Sequence, residues 1–567
     1  MSRRRLTLPR RIALAAVPLA LTGVVLAGCA VAADTSSAGT STTQTQTDTS
    51  TEATTETAVA VDSDLAAEAV LAANADTTVV RDDEWSESDA VDIVLDGDSA
   101  SSDSDAVSID GTTVTITEAG VFRLNGDLDG SVVVAAPDNA QVVLILDDAS
   151  ISASGGSAID VQTADDVAIV LAAGTANSVA DADAYADDAD ANAAIYADTD
   201  LTISGSGALE VSGNGNDGIT STDDLVILSG EITVDAVDDG LRGKDSLVIE
   251  GGTVTVDAGG DALKSDQDSD ATQGFVAIEG GEISLTSGDD AIAAATDAVV
   301  TGGTISIVAG EGQSSDAGAK GIAAGAVIAL DGGEVTISSS DDAVHSDGSV
   351  GIGGATLAIS TGDDGVHAEQ VLEIRGGTVE IAQSYEGLEA TDVAISGGTV
   401  SVIASDDGIN AAGAAAGGEA DSGETLVIAG GTVTVTAGGD GLDSNGSITL
   451  SGGTFALVGP ANGGENTVDA NGTIAVDGVA VATVSASGSA GSTVVITNAA
   501  GDVVASIEAG SSFSGVVYGG ADVTEGETYT VTVDGGSAVS ATASTTVQSA
   551  MGGPGGGMGG GPGGRRP

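Results

Sequence analysis

Two short stretches place the same reactive side chains at the same spacing. Ser340 to Ser346 reads SDDAVHS and Gly362 to Ala368 reads GDDGVHA: a carboxylate pair, a small residue, an apolar residue and an imidazole. The pair recurs without His as Asp238-Asp239, Asp289-Asp290 and Asp406-Asp407, and as the single acid Asp261. Repeated carboxylates are donors for hard cations, since Ca²⁺ takes about six to eight oxygens from carboxylates, carbonyls and water. Two carboxylates can also act as the acid and base of a glycoside hydrolase. A catalytic pair is normally singular, however, whereas this one is repeated along the chain, as a structural or binding ladder would be.

The acids keep time with a glycine pair. These pairs begin at Gly251, Gly280, Gly302, Gly332, Gly353, Gly376, Gly397, Gly430 and Gly452, in steps of 21 to 23 residues with three longer steps of 29, 30 and 33. The longer steps hold the inserts SDQDSDATQ, EGQSSDAG and AAGAAAGGEADSG, expected as loops bulging from one side. At constant phase stand Asp217, Asp239, Asp261, Asp290, Lys320, Asp342, Asp364, Glu386, Asp407 and Asp440. An Asp beside Gly caps its own turn by accepting backbone N–H bonds, the role expected for most of this column. The calcium ligands expected are Asp238, Asp239, Asp261, Asp289, Asp290, Asp341, Asp342, Asp363, Asp364, Asp406 and Asp407. The insert KSDQDSD at Lys264 to Asp270 alternates acids but lacks the Gly and terminal Glu of an EF-hand.

Three residues after each ladder residue comes a varied position: Thr220, Arg242, Lys264, Ala293, Ala323, His345, His367, Glu389, Asn410 and Asp443. Their neighbours, such as Leu241 and Val366, are expected to point inward, so this second column points out. As a sugar-facing stripe, Arg242 and Lys264, with Lys244 and Lys320 nearby, would meet the carboxylates of an acidic polysaccharide, and calcium would bridge protein and uronate. His345, His367 and Tyr385 complete the expected carbohydrate-binding set. His345 and His367 should stack one repeat apart, but a transition metal needs a third ligand and the spacing reveals none. Aromatics make up 2% of the chain, so polar or calcium-bridged sugar contact is expected rather than a flat aromatic platform.

The elements that position these columns follow from hydrophobic period. In LVIEGGTVTVDAGGDAL, Leu247 and Ile249 alternate, a Gly turn follows, Val254 and Val256 alternate again, and Leu263 points in after a second turn. Alternation in runs of three to five residues, broken by Gly, predicts short strands with one buried face. Three strands and three turns fill one repeat, and repeats stack with parallel strands ~4.8 Å apart. The predicted fold is all-β, a right-handed parallel β-helix of roughly fourteen coils, closed by a small C-terminal antiparallel β cap. The domain boundaries expected are 1–29 for an export leader, 30–80 for a disordered Ser/Thr-rich stalk, 81–472 for the β-helix, 473–548 for the cap and 549–567 for a Gly-rich flexible tail.

Charge and leader narrow the setting. With 14 Lys and Arg against 86 Asp and Glu the net charge is −72, which argues against nucleic acid as a partner. Basic residues from Arg3 to Arg11 precede an apolar run ending at Leu26-Ala27-Gly28-Cys29, which resembles a bacterial lipobox. Cys29, the single Cys, is the expected lipidation site, leaving no intrachain disulfide. The protein is therefore expected to be a lipid-anchored monomer on the extracellular face of a bacterial cell membrane.

From about Val107 to Gly536 the chain resembles a family of bacterial carbohydrate-binding β-helix proteins, of the cellulose- and pectin-binding adhesin-like type found in cellulolytic clostridia. The resemblance rests on DDLVILSGEITVDAVDDGLRGKDSLVIEGGTVTVDAGGDALKSD, ASDDGINAA, GDGLDSNGSITLSGGTF and EGETYTVTVDG. It implies calcium at acidic turns and non-catalytic binding of plant-type polysaccharide, pectin-like or cellulose. Two other functions compete: a calcium-dependent polysaccharide lyase or glycoside hydrolase, with Lys264, Lys320 or Arg242 as a lyase base, and a structural surface spacer or adhesin that binds proteins or cells.

Overall fold

The computed structural model describes residues 65–547, apart from 187–188, 190, 315–316, 414–419 and 461–465. Cys29, the stretch before residue 65 and the Gly-rich tail lie outside the described residues. The period-2 runs form strands because their Val, Ile and Leu side chains alternate toward one interior. Each strand then pairs with the strand of equal phase in the next repeat. Leu241–Gly243 pairs with Leu263–Ser265, Ser246–Ile249 with Phe275–Ile278, and Thr253–Ala258 with Glu282–Ser287, all parallel. These three ladders dominate a 44-stranded, mostly parallel sheet.

The inserts leave the pairing intact. Leu241 is opposite Leu263, but Ser246 is opposite Phe275, so SDQDSDATQ is accommodated between two ladders. Inward residues of all three ladders, including Leu241, Leu247, Val254 and Leu263, belong to one continuous core. The second Gly of each pair has positive φ except at Gly353-Gly354, as with Gly252 at 96°. A Cβ on Gly252 would lie 2.8 Å from the Gly230 carbonyl oxygen of the preceding repeat, so both conformation and space require glycine.

Two of the expected boundaries move. Residues 65–80, assigned from sequence to the stalk, pack against the sheet. The helix Ala67–Ala73 buries Ala67 and Val70 against Val226, Val248, Phe275 and Val299. These strands are apolar on both faces, as in Ser246–Ile249 where all four residues are buried, so their outer face requires a cover. Asp331 fixes the helix start by accepting the Ala67 N–H at 2.7 Å, and Arg81 makes two bonds to Glu250 at 2.7 and 2.6 Å. At the other end Ile474–Val476 still pairs parallel with Ser447–Leu450, past the expected limit at 472. Antiparallel pairing begins after it, where Gly515–Gly520 joins Thr454–Gly459 and Ala480–Val484. A separate four-stranded antiparallel sheet follows, with its own core around Phe513, Tyr518 and Tyr529.

Leu263→Ala should lower the unfolding free energy by about 2–5 kcal/mol in denaturant melts, because a fully buried side chain leaves a cavity. Val237→Ala, at a residue 64% exposed in a turn, should stay within about 0.5 kcal/mol of the parent.

Candidate functional site

Parallel pairing turns the sequence columns into physical ones, because the register shifts, such as that between Ala368 and Val371, fall outside the second column. The second column is in direct register, from Thr220 opposite Arg242 through Lys264, Ala293, Ala323, His345, His367, Glu389 and Asn410 to Asp443. Upstream it continues through Tyr196 to Asp160.

The acid column binds across repeats rather than capping its own turns. Asp239 Oδ1 accepts the N–H of Asp261 at 3.0 Å, Asp261 Oδ1 that of Asp290 at 3.0 Å, and Asp290 Oδ1 that of Lys320 at 2.7 Å. Asp342 and Asp364 serve Asp364 and Glu386 likewise, at 3.0 and 2.9 Å. The reason is geometric: stacked backbones put the next repeat's N–H beside the carboxylate. Where Lys320 interrupts the column, the Asp342 N–H donates instead to Oδ1 of neighbouring Asp341 at 2.9 Å.

The other carboxylate oxygen meets the second column. Thr220 donates to Asp217 Oδ2 at 3.0 Å. Lys264 Nζ lies 2.8 Å from Asp261 Oδ2 and 2.9 Å from Asp239 Oδ2. His345 Nδ1 lies 2.7 Å from Asp342 Oδ2. Several residues expected to face sugar are thus held against the ladder. Arg242 is taken by Asp266 at 2.6 Å, an ion pair across 24 residues that repeat phase alone did not reveal.

Between Lys264 and His345 the column carries only Ala293 and Ala323. The result is a groove of ≈ 580 Å³, lined by Lys264, Asp266, Asp290, Lys320, His345 and Asp347 among others. Of the expected carbohydrate residues, Lys264, Lys320 and His345 reach this groove, while Arg242, Lys244, His367 and Tyr385 do not line it. Tyr385 is 47% exposed in the acid-pair turn, hydrogen-bonded to Asp406, which pushes its hydroxyl up to about 12. A second hollow of ≈ 830 Å³, missed from sequence, lies on the upstream continuation of the column between Asp160, Gln162, Tyr185, Tyr196 and Asp198. Its one legible signal was the phase of Tyr196.

Among the described residues three sets of acids converge as oxygen donors: Asp261, Asp289 and Asp290; Asp341, Asp342 and Asp363; and Asp440, Asp443 and Asp469, each with donor atoms within 4.8 Å of one another. Asp289 and Asp363 are exposed, leaving room for water and carbonyl ligands around a hard cation. The donor type therefore fits calcium. Asp238, Asp239, Asp406 and Asp407 join no such set among the described residues. Asp364 joins one with His367 and Glu389 rather than with its paired acid.

Electrostatics follow the partners. Burial and then the Asp239 charge push Asp217 up to about 6, and burial with weaker repulsion from Asp239 brings Asp261 to about 6 despite Lys264. Burial and Glu389 push Glu386 up to about 8, and burial with the Asp342 and Glu386 charges holds Asp364 well above the carboxylate range. Burial also works against Asp342, but hydrogen bonds from His345 and His367 hold it below the usual range. The bond to Asp342 pushes His367 up to about 8.

Asp217, Asp261, Asp364, Glu386 and His367 all retain protons more strongly when folded. Their contribution is fully present below their unfolded values and is lost as pH rises through the folded ones. Asp342 has the opposite sign, and its contribution survives until strong acid. In chelator, the melting temperature should therefore fall between pH 5 and pH 8. Asp364→Asn keeps an acceptor for the Glu386 N–H and removes the cost of holding a proton on this carboxyl at a pH where the unfolded chain is ionised, so it should stabilise the chain at pH 8 by about 1–2 kcal/mol and flatten that fall.

The model of carbohydrate-binding domain-containing proteins matches residues 110–365 and 363–552. A carbohydrate-binding domain-containing protein of Acetivibrio thermocellus is 37% identical over 150 residues, covering 25% of this chain and 52% of the relative. The chain thus spans about half the length of that curated relative. A solved structure described as a polysaccharide lyase-like protein from C. thermocellum, in a gadolinium derivative, is 34% identical, covers 39% of this chain and 91% of that one, and has a TM-score of 0.38. The matched segments take in both columns and the groove, and the chain belongs to the family of carbohydrate-binding domain-containing proteins.

Proposed function

We propose that this protein binds an acidic polysaccharide, non-catalytically, along the outward column of a right-handed parallel β-helix. The observation that carries the proposal is the groove in which Lys264, Lys320 and His345 surround the two alanines. A stripe of small residues flanked by cations accepts a chain of sugar rings while its carboxylates meet the ammonium groups. The helical winding is supported by the three parallel ladders and their shared core.

Calcium is the proposed cofactor, and the set Asp261, Asp289 and Asp290 is its favoured place because Asp290 also lines the groove. A cation there would neutralise carboxylates of the protein and of a bound uronate together. The cell-surface setting is likewise proposed, with lipid on Cys29 holding a monomer outside the membrane.

The contacts of the cations favour binding over a lyase. A lyase base must shed its proton, but hydrogen bonds to Asp261 and Asp239 outweigh burial and hold the Lys264 ammonium protonated. Lys320 is held the same way, chiefly by Asp341. Arg242 is engaged by Asp266.

Native gels containing polygalacturonate should retard the protein with calcium and much less with chelator. Ala323→Trp fills the groove while leaving every acid of the ladder in place, and should weaken retardation about tenfold or more with unchanged melting. Equal migration of parent and variant in every gel would refute the groove as the binding site. Unsaturated sugar products in the same samples would refute the non-catalytic assignment.

A further inference from the structure

The two histidines have a third ligand that their spacing did not disclose. His345 and His367 are opposite each other in register, with ring centroids 4.9 Å apart and planes at 83°. This edge-on arrangement aims both Nδ1 atoms at one oxygen, Asp342 Oδ2, at 2.7 Å from His345 and 3.4 Å from His367. Asp342 is 4% exposed, and its Oδ1 is engaged by the Asp364 N–H at 3.0 Å, which fixes the direction of Oδ2. His345 Nε2 faces Asp347 Oδ1 at 3.4 Å, a carboxylate placed to hold a proton on Nε2 once an ion displaces the proton that Nδ1 now shares with Asp342.

We propose that Asp342, His345 and His367 form a binding site for a borderline divalent transition-metal ion, Zn²⁺ in type, distinct from the acid-only calcium set of Asp261, Asp289 and Asp290. Their donor atoms lie within 4.8 Å of one another. Donors about 2.0–2.1 Å from a tetrahedral ion stand roughly 3.3 Å apart, so the His367 contact already has that spacing and the His345 contact must open by about 0.6 Å. Imidazole nitrogen favours zinc-like ions over calcium, which takes oxygen donors. Both imidazoles are partly open to solvent, 18% and 22% for the side chains, which gives an entering ion a path. Three protein ligands leave a fourth position for water or a ligand. Because His345 lines the groove, a bound ion would stand at its edge. The site does not depend on the groove's occupant.

The test uses the full chain with Cys29→Ser, so that the lone thiol cannot contribute. Co²⁺ is titrated with millimolar calcium present and followed by its visible d–d absorption, then displaced with Zn²⁺. The expected result is one saturable site per chain with low-symmetry absorption, weakened about tenfold or more by His345→Gln and by His367→Gln. Asp443→Asn, in the acid-only set Asp440, Asp443 and Asp469, should leave that signal unchanged. Absence of saturable binding would overturn the site and leave an imidazole–carboxylate ion pair. Affinity in both His variants equal to that of the parent would overturn it too, placing the ion elsewhere on the acidic surface. Circular dichroism of each variant checks that the ladders remain folded, so that lost binding is assigned to the ligands.

Discussion

The structure depends on one cross-repeat contact, the carboxylate oxygen that accepts the N–H of the equivalent residue one repeat later. A parallel ladder joins strands, but the corners between strands must also be kept in register, and there the N–H groups of neighbours such as Gly240 and Ala262 bond to backbone carbonyls while the N–H of the ladder residue needs a side-chain acceptor. Asp239, Asp261, Asp290, Asp342 and Asp364 supply those bonds from side chains. The arrangement buries a column of like charges, and each must be neutralised, protonated or matched. The second column is where this happens: Thr220, Lys264 and His345 each turn onto the acid three residues earlier. Structural and recognition chemistry are therefore inseparable here, since the side chains facing the groove also balance the ladder.

This coupling explains why the site is local although the repeat is long. At Thr220, Lys264 and His345 the second column is drawn onto the acids. Where it shortens to Ala293 and Ala323, the column opens and the flanking Lys264 and His345 become walls. The insert after Ser265 adds Asp266 and Asp268 to one side of the groove. It is tied to the preceding repeat through Gln267 and Gln273, which donate to Asp245 at 3.1 and 2.8 Å. A surface built from one motif thus acquires a distinct place by loss of side-chain bulk over two repeats and by a loop bound beside them.

The N-terminal segment has an energetic rather than a chemical part. The middle ladder is apolar on both faces around Val248, Phe275 and Val299, and one face would otherwise remain exposed. Short residues in AEAVLAA allow the helix to lie close against that face, burying Ala67 and Val70. The sequence of this segment looks like a continuation of the preceding Ser/Thr-rich stretch, because seven helical residues give too little periodicity to stand out. Its role is legible only beside the strands it covers.

By itself the sequence determined the repeat, the three strands in each, the inward residues and both columns, because a side-chain period of two and a fixed repeat length leave parallel register little freedom. The second column was legible from Thr220 to Asp443, every member of it, since one slipped residue would have turned the core outward. Tertiary structure decided what the columns do. Side-chain direction across repeats made the acids bond to the next corner instead of their own, and it gave Arg242 to Asp266 across 24 residues. It also brought His345 and His367 onto the same oxygen of Asp342. Phase specifies which residues are neighbours, but ring orientation, the two separate oxygens of a carboxylate and the path of an insert depend on packing in three dimensions.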